Sequence, residues 1–87
     1  MQLPTGFTLT HPPAVAAFVL INRDNLADAL YDLAAHYAPQ RGDTHALTDV
    51  AAAFTDIAHR PGWLNPERAT DVLRATADLH YLADQHT

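Results

Sequence analysis

The side chains best equipped for chemistry in this 87-residue chain are six histidines and ten acids, several of them one helical turn apart. Asp32/His36, His45/Asp49 and His80/Asp84 are spaced i,i+4, and Asp56/His59 is spaced i,i+3. On a helix such a pair shares a face. There an imidazole and a carboxylate can hold a transition metal, or form a solvated pair that stabilises the helix by about 0.2–0.5 kcal/mol. A zinc site needs three or four converging ligands, and one helical pair supplies two. Neither an HExxH nor an ExxH motif is present to bring a second pair to the first. The pairs therefore read as helix-stabilising contacts, and a His/Asp metal-binding bundle stands as the alternative. The same histidines could serve as pH sensors, which by itself specifies no role.

Other chemistry is limited by the residue types that are missing. Ser, Cys and Lys do not occur. Their absence removes a Ser or Cys nucleophile, a thiolate metal site, a disulfide, a lysine Schiff base and a P-loop lysine. Glycine occurs only at positions 6, 42 and 62, so no Gly-rich phosphate loop exists. Asp28, Asp32, Asp49, Asp56, Asp71 and Asp78 fall mostly on polar helix faces, where a carboxylate is ordinarily solvated. The expectation is a non-enzymatic protein with no catalytic residue, no metal and no cofactor.

Net charge is −5, from nine Asp and Glu67 against five Arg. A surface of that sign repels phosphate backbones. The segment around Pro61-Gly62-Trp63-Leu64-Asn65-Pro66 sits between two helical patterns and suggests a helix-turn-helix. Its second helix, however, carries Glu67, Asp71 and Asp78 beside Arg68 and Arg74, which makes a poor DNA reader. A DNA-binding regulator is thus the weaker alternative. Arg41-Gly42-Asp43 spells an adhesion tripeptide but reads as a loop leading to a helix cap. Residues 1–13 hold no Lys or Arg, and Ala14–Ile21 gives only eight apolar residues against the roughly 20 needed to span a bilayer. No membrane association and a cytoplasmic location are expected.

These side chains must be positioned by helices. Val15, Val19, Asn22, Leu26, Ala29/Leu30, Leu33 and Tyr37 recur at three- and four-residue spacing, which predicts one helix over residues 12–38. The rival arrangement breaks it near Asn22–Asp24, with Asp24 capping a helix over 25–38, and leaves 14–21 as a short helix or as a hairpin with 7–10. Thr10 or His11 would cap the first helix, with proline at its first position. Pro39-Gln40-Arg41-Gly42 reads as a loop and Asp43 or Thr44 as the next cap. Leu47, Val50, Ala51, Phe54, Ile57 and Ala58 mark a helix over 44–60, which Pro61-Gly62 ends. Asn65-Pro66-Glu67 is a strong start for a helix over 66–84. Residues 1–11, with the alternating Phe7-Thr8-Leu9-Thr10, form an extended or short β arm. The fold class is all-α: a single domain over 1–87, an antiparallel bundle of three long helices, or four if the first breaks. The predicted core is Val19, Leu26, Leu30, Leu33, Leu47, Val50, Phe54, Ile57, Val72, Leu73, Leu79 and Leu82.

A chain of this length builds a modest core, and without Cys a partner chain is the economical source of added stability. On a continuous first helix, Leu20, Ala27 and Tyr31 lie about 100–140° from the main stripe and form a second apolar strip. Asp28 and Asp32 would rim it. Trp63, in a tight loop, is of a type enriched at interface hot spots. The expected function is an acidic protein-binding module of the inhibitor, immunity, antitoxin or phage-encoded kind. It would self-associate or engage a basic partner surface through Leu20, Asp28, Tyr31, Asp32 and Trp63.

Overall fold

Four α-helices and one turn of 3-10 helix make up the regular structure of residues 1–85, the span that the computed structural model describes. They are α1 (Pro12–Ile21), the 3-10 turn (Arg23–Asn25), α2 (Leu26–Arg41), α3 (Asp43–His59) and α4 (Pro66–Gln85). The chain is all-helical over this span, with no strand among the described residues. The most extensive packing joins α3 to α4, followed by α2 to α3, so α3 is the central helix.

The single first helix over 12–38 does not form; the bundle has four helices rather than three long ones. The reason lies in Asn22-Arg23-Asp24-Asn25. Asn and Asp side chains offer the backbone local alternatives to the helical ladder. Asn22 donates its own N–H to Phe18 O at 3.0 Å and turns its side-chain amide back to the same carbonyl, also at 3.0 Å. Asn25 N–H then closes the turn on Asn22 O at 3.1 Å. Asn25, not Asp24, stands at the start of α2, and it makes no side-chain cap bond.

The N-terminal arm is a pair of turns and contains no strand. Phe7 N–H bonds Pro4 O at 3.2 Å and His11 N–H bonds Thr8 O at 3.3 Å. Residues 14–21 are helical, so the alternation at 7–10 has no strand to pair with. Its apolar members are used differently. Phe7 and Leu9 are half-buried against the core, and the Phe7 ring stacks 5.4 Å from Phe18, which lies 5.3 Å from Phe54. The arm is thus the outer layer of an aromatic column reaching α3.

At the far end of α2 the helix continues through Pro39 to Arg41, where a loop was expected. Proline here removes only the bond that would reach back to Ala35, within the last turns, where helical bonding is already ending. Gly42, at φ 84°, ends α2 by donating to Ala38 O at 2.8 Å and starts α3 by accepting from Ala46 N–H at 2.9 Å. Neither Asp43 nor Thr44 acts as the cap. The start of α4 is as predicted: Asn65 Oδ1 accepts from Arg68 N–H at 2.8 Å.

Of the predicted core, Val19, Leu26, Leu30, Leu33, Val50, Phe54, Ile57, Val72 and Leu79 are buried. Leu47 and Leu82 are half-buried, and Leu73 is exposed. The buried face of α4 runs through Val72, Ala75, Thr76, Leu79 and Ala83, and Leu73 lies on its flank. Phe18, not predicted as core, is fully buried; it lies with Val15, Val19 and Asn22 on the inner face of α1.

Candidate partner-binding site

Three alanines on one side of α2 are too small to fill the space beside them. The result is a groove of about 240 Å³ between α2, the start of α3 and the end of α4. It is lined by Tyr31, Ala34, Ala35, Ala38, Asp43, Leu47 and Leu82. The Gly42 turn sets Asp43 beside Ala38, at one end. Tyr31 stands seven residues before Ala38, so it is about 10 Å away along the axis of α2.

The Tyr31 end carries two further carboxylates. The Tyr31 phenol is raised above its ordinary value of 10.0, first by burial and then by the negative charges of Asp78 from α4 and Asp28 from α2. Among the described residues, no cation pairs with Asp28, Asp43 or Asp78. The arginines are largely engaged elsewhere. Arg41 pairs with Asp49. Arg60 Nε donates to Asp56 at 2.8 Å and its guanidinium lies 5.8 Å from the Trp63 ring. Arg68 reaches Asp71 and Arg23 O, both at 3.5 Å. The groove therefore combines an apolar floor with acidic ends that form no ion pair among the described residues.

A second depression of about 350 Å³ lies on another side of α3, lined by Leu9, Thr10, Arg41, Asp49, Ala52 and Ala53. It is the larger, but its two charges neutralise each other. Asp49 Oδ2 is buried and has no partner at hydrogen-bond angles, yet Arg41 Nε lies against it as an ion pair, and the Coulomb contact is the term that counts.

The predicted site residues are only partly brought together. Tyr31 is half-buried in the groove, and Asp28 and Asp32 are exposed on α2 to either side of it. Asp32 faces the Met1 amine at 3.8 Å. Leu20 is exposed on α1, and the 3-10 turn breaks the strip that was to join it to Tyr31. Trp63 lies beyond the opposite end of α3 from Asp43, about 24 Å along that helix. Asp43, Asp78, Ala34, Ala35, Ala38, Leu47 and Leu82 were missed as site residues. Their one legible signal is the small-residue cluster at 34, 35 and 38, and it is a weak one in a helix that also carries Ala27 and Ala29.

The histidine–aspartate pairs do not converge. No group of three metal-capable side chains occurs among the described residues. Asp32, Asp49 and Asp56 are taken by the Met1 amine, Arg41 and Arg60 instead of by their helical histidines. No helix of the described residues is long and apolar enough to cross a membrane. No protein-family model, curated protein or solved structure matches this chain.

Proposed function

We propose that this chain is a non-enzymatic protein-binding module that receives a basic, amphipathic segment of a partner in the groove between α2, α3 and α4. The observation that carries this reading is the apolar floor of Ala34, Ala35, Ala38, Leu47 and Leu82 set between Asp43 and the Asp28/Asp78 pair, acids that form no ion pair among the described residues. Size argues in the same direction. Small-molecule sites run to roughly 300–1,000 Å³ and enclose their ligand. A groove of about 240 Å³ instead suits one or two side chains of a docked segment. An aliphatic side chain would cover the alanines. Arginines or lysines about 10 Å apart, two turns of a partner helix, would meet the acids at the two ends. Such a module acts by occupancy, as a stoichiometric inhibitor of a protein with a basic functional surface acts.

The test is an amide-resolved NMR titration with a leucine/arginine amphipathic helix peptide, beside a control in which the arginines are glutamates. Shifts should concentrate at Ala34, Ala38, Leu47 and Leu82, and weaken as salt shortens the screening length below about 8–10 Å. Ala38→Trp, which fills the groove, should abolish them. Equal response to the acidic control, or shifts centred elsewhere, overturns the reading.

A further inference from the structure

The depression beside the arm has the make-up of a small-molecule site. Three parts of the chain wall it: Leu9 and Thr10 from the arm, Arg41 from the end of α2, and Asp49, Ala52 and Ala53 from one face of α3. Its volume of about 350 Å³ falls within the roughly 300–1,000 Å³ of small-molecule sites, whereas that of the groove falls below it. Leu9, Ala52 and Ala53 supply apolar surface, and Arg41 and Asp49 are the charged groups on its wall. These two form an ion pair through Arg41 Nε and Asp49 Oδ2, and that oxygen is buried. The pair leaves hydrogen-bonding capacity unspent. A guanidinium offers donors on all three nitrogens, and a carboxylate accepts at both oxygens. Neither side chain has a further partner among the described residues, so the Nη groups of Arg41 and Oδ1 of Asp49 make no hydrogen bond within the chain.

We propose that this depression binds a small α-amino acid with an apolar side chain, held as its zwitterion. A wall that is itself an ion pair matches a ligand that carries one charge of each sign. The ligand carboxylate takes the Nη groups of Arg41 and its ammonium takes Oδ1 of Asp49, each by charge-assisted hydrogen bonds. Its apolar side chain then lies on Leu9, Ala52 and Ala53, and the Thr10 hydroxyl stands on the same wall. A ligand of one charge is disfavoured, because the group that attracts it touches a group that repels it. Spacing selects further. Arg41 and Asp49 are in contact, so the two ligand charges must also be close, as they are on a single α-carbon. An ω-amino acid holds them too far apart. The Arg41 and Asp49 side chains are 56% and 34% exposed, so solvent screens both contacts and the dissociation constant is about 1–10 mM. The site uses no residue of the groove and does not depend on what the groove binds.

Amide-resolved NMR titration of the full chain with L-leucine, to about 50 mM at constant ionic strength, tests this. Saturable shifts should appear at Leu9, Thr10, Ala52 and Ala53 and at the Arg41 Nε–H. Three controls vary the charges alone: N-acetyl-leucine lacks the ammonium, leucinamide lacks the carboxylate, and 6-aminohexanoate separates the two. Each should bind more than about tenfold more weakly, as should L-leucine to Arg41→Gln or Asp49→Asn, the effect of losing one charge-assisted contact. Ala52→Trp fills the depression from an exposed position of α3 and should abolish the shifts with both charges in place. Ala38→Trp, in the groove, should bind L-leucine like the parent. Circular dichroism confirms the fold of each variant. If a charge variant unfolds, Ala52→Trp and the three control ligands decide. Shifts that stay linear to the highest concentration, an equal response to any control ligand, or a response that survives Ala52→Trp overturns the proposal. A response lost in Ala38→Trp would assign the ligand to the groove and overturn it as well.

Discussion

The side-chain amide of Asn22 holds the backbone of Gln2 by both its N–H and its C=O, at 2.9 and 2.8 Å. The side chain acts toward Gln2 as a neighbouring strand acts toward an extended residue. Its third bond, to Phe18 O, keeps it inside the protein, where it is almost wholly buried. One polar residue in the apolar stripe thus both breaks the first helix and fastens the arm.

Asn22→Ala should therefore cost about 1–3 kcal/mol, the usual penalty when buried polar partners are left unmatched. Urea denaturation measures the loss. Hydrogen exchange should show the Gln2 amide unprotected in the variant while amides in the middle of α3 remain slow. An arm still protected would mean that Phe7 stacking on Phe18 is the real anchor.

The aromatic column sets the second expectation. Phe18 and Phe54 are fully buried and in edge contact, so truncating either to Ala should cost about 3–5 kcal/mol. Leu73→Ala, on an exposed flank of α4, should stay within about 1 kcal/mol of the parent, as surface substitutions do. Thermal or urea melts of the three variants compare them directly; a Leu73→Ala loss equal to that of Phe18→Ala would contradict the assigned face.

Much of this was legible in the residues. The start of α4 was readable because Asn65, Pro66 and Glu67 each act locally, through a cap, a fixed φ and a charge. The central stripe of α3 was readable because its period continues from Leu47 to Ala58, about three turns. The break in the first helix was harder. Spacing alone permits Val19, Asn22 and Leu26 on one continuous stripe, and only the run of Asn and Asp residues hints that the ladder ends there. Phe18 was missed because the α1 sequence is apolar all round, so periodicity cannot choose its inner face. The groove was beyond reach. Asp43 comes to one end of the groove, and Asp78 to the Tyr31 end, only after the Gly42 turn and the return of α4, which are tertiary facts.

Local and surface interactions should separate cleanly at the two ends of the α3–α4 connection. Asn65→Ala removes the oxygen that accepts from Arg68 N–H and should cost about 1 kcal/mol, the typical value of a helix cap. Arg60→Ala removes an exposed pair with Asp56 and a contact with the Trp63 ring, and should cost less, under about 1 kcal/mol. Raising the salt concentration should shrink the Arg60 effect and leave the Asn65 effect unchanged. Guanidinium cannot be the denaturant here because it is itself a salt; urea melts at two ionic strengths give the comparison.

The alkaline limb of the stability curve tests the electrostatics of the groove. Burial, then Asp78, then Asp28 raise the Tyr31 phenol above 10.0 in the folded chain. Above that value the unfolded chain releases the proton first, so the folded state binds more protons and stability falls with rising pH. The contribution of the neutral phenol is fully present below about pH 10 and is lost as pH climbs through the raised folded value. Tyr31→Phe cannot ionise, so its urea midpoint should decline less than that of the parent over this window. It should also lose the part of the 295 nm phenolate absorbance that appears above pH 10. Asp78→Asn keeps the phenol but removes one of the two charges, and should shift that absorbance step to lower pH without abolishing it, because burial is the larger cause. If Asp78→Asn leaves the step in place while Tyr31→Phe removes it, burial acts alone, and the acidic end of the groove is weaker than its geometry implies.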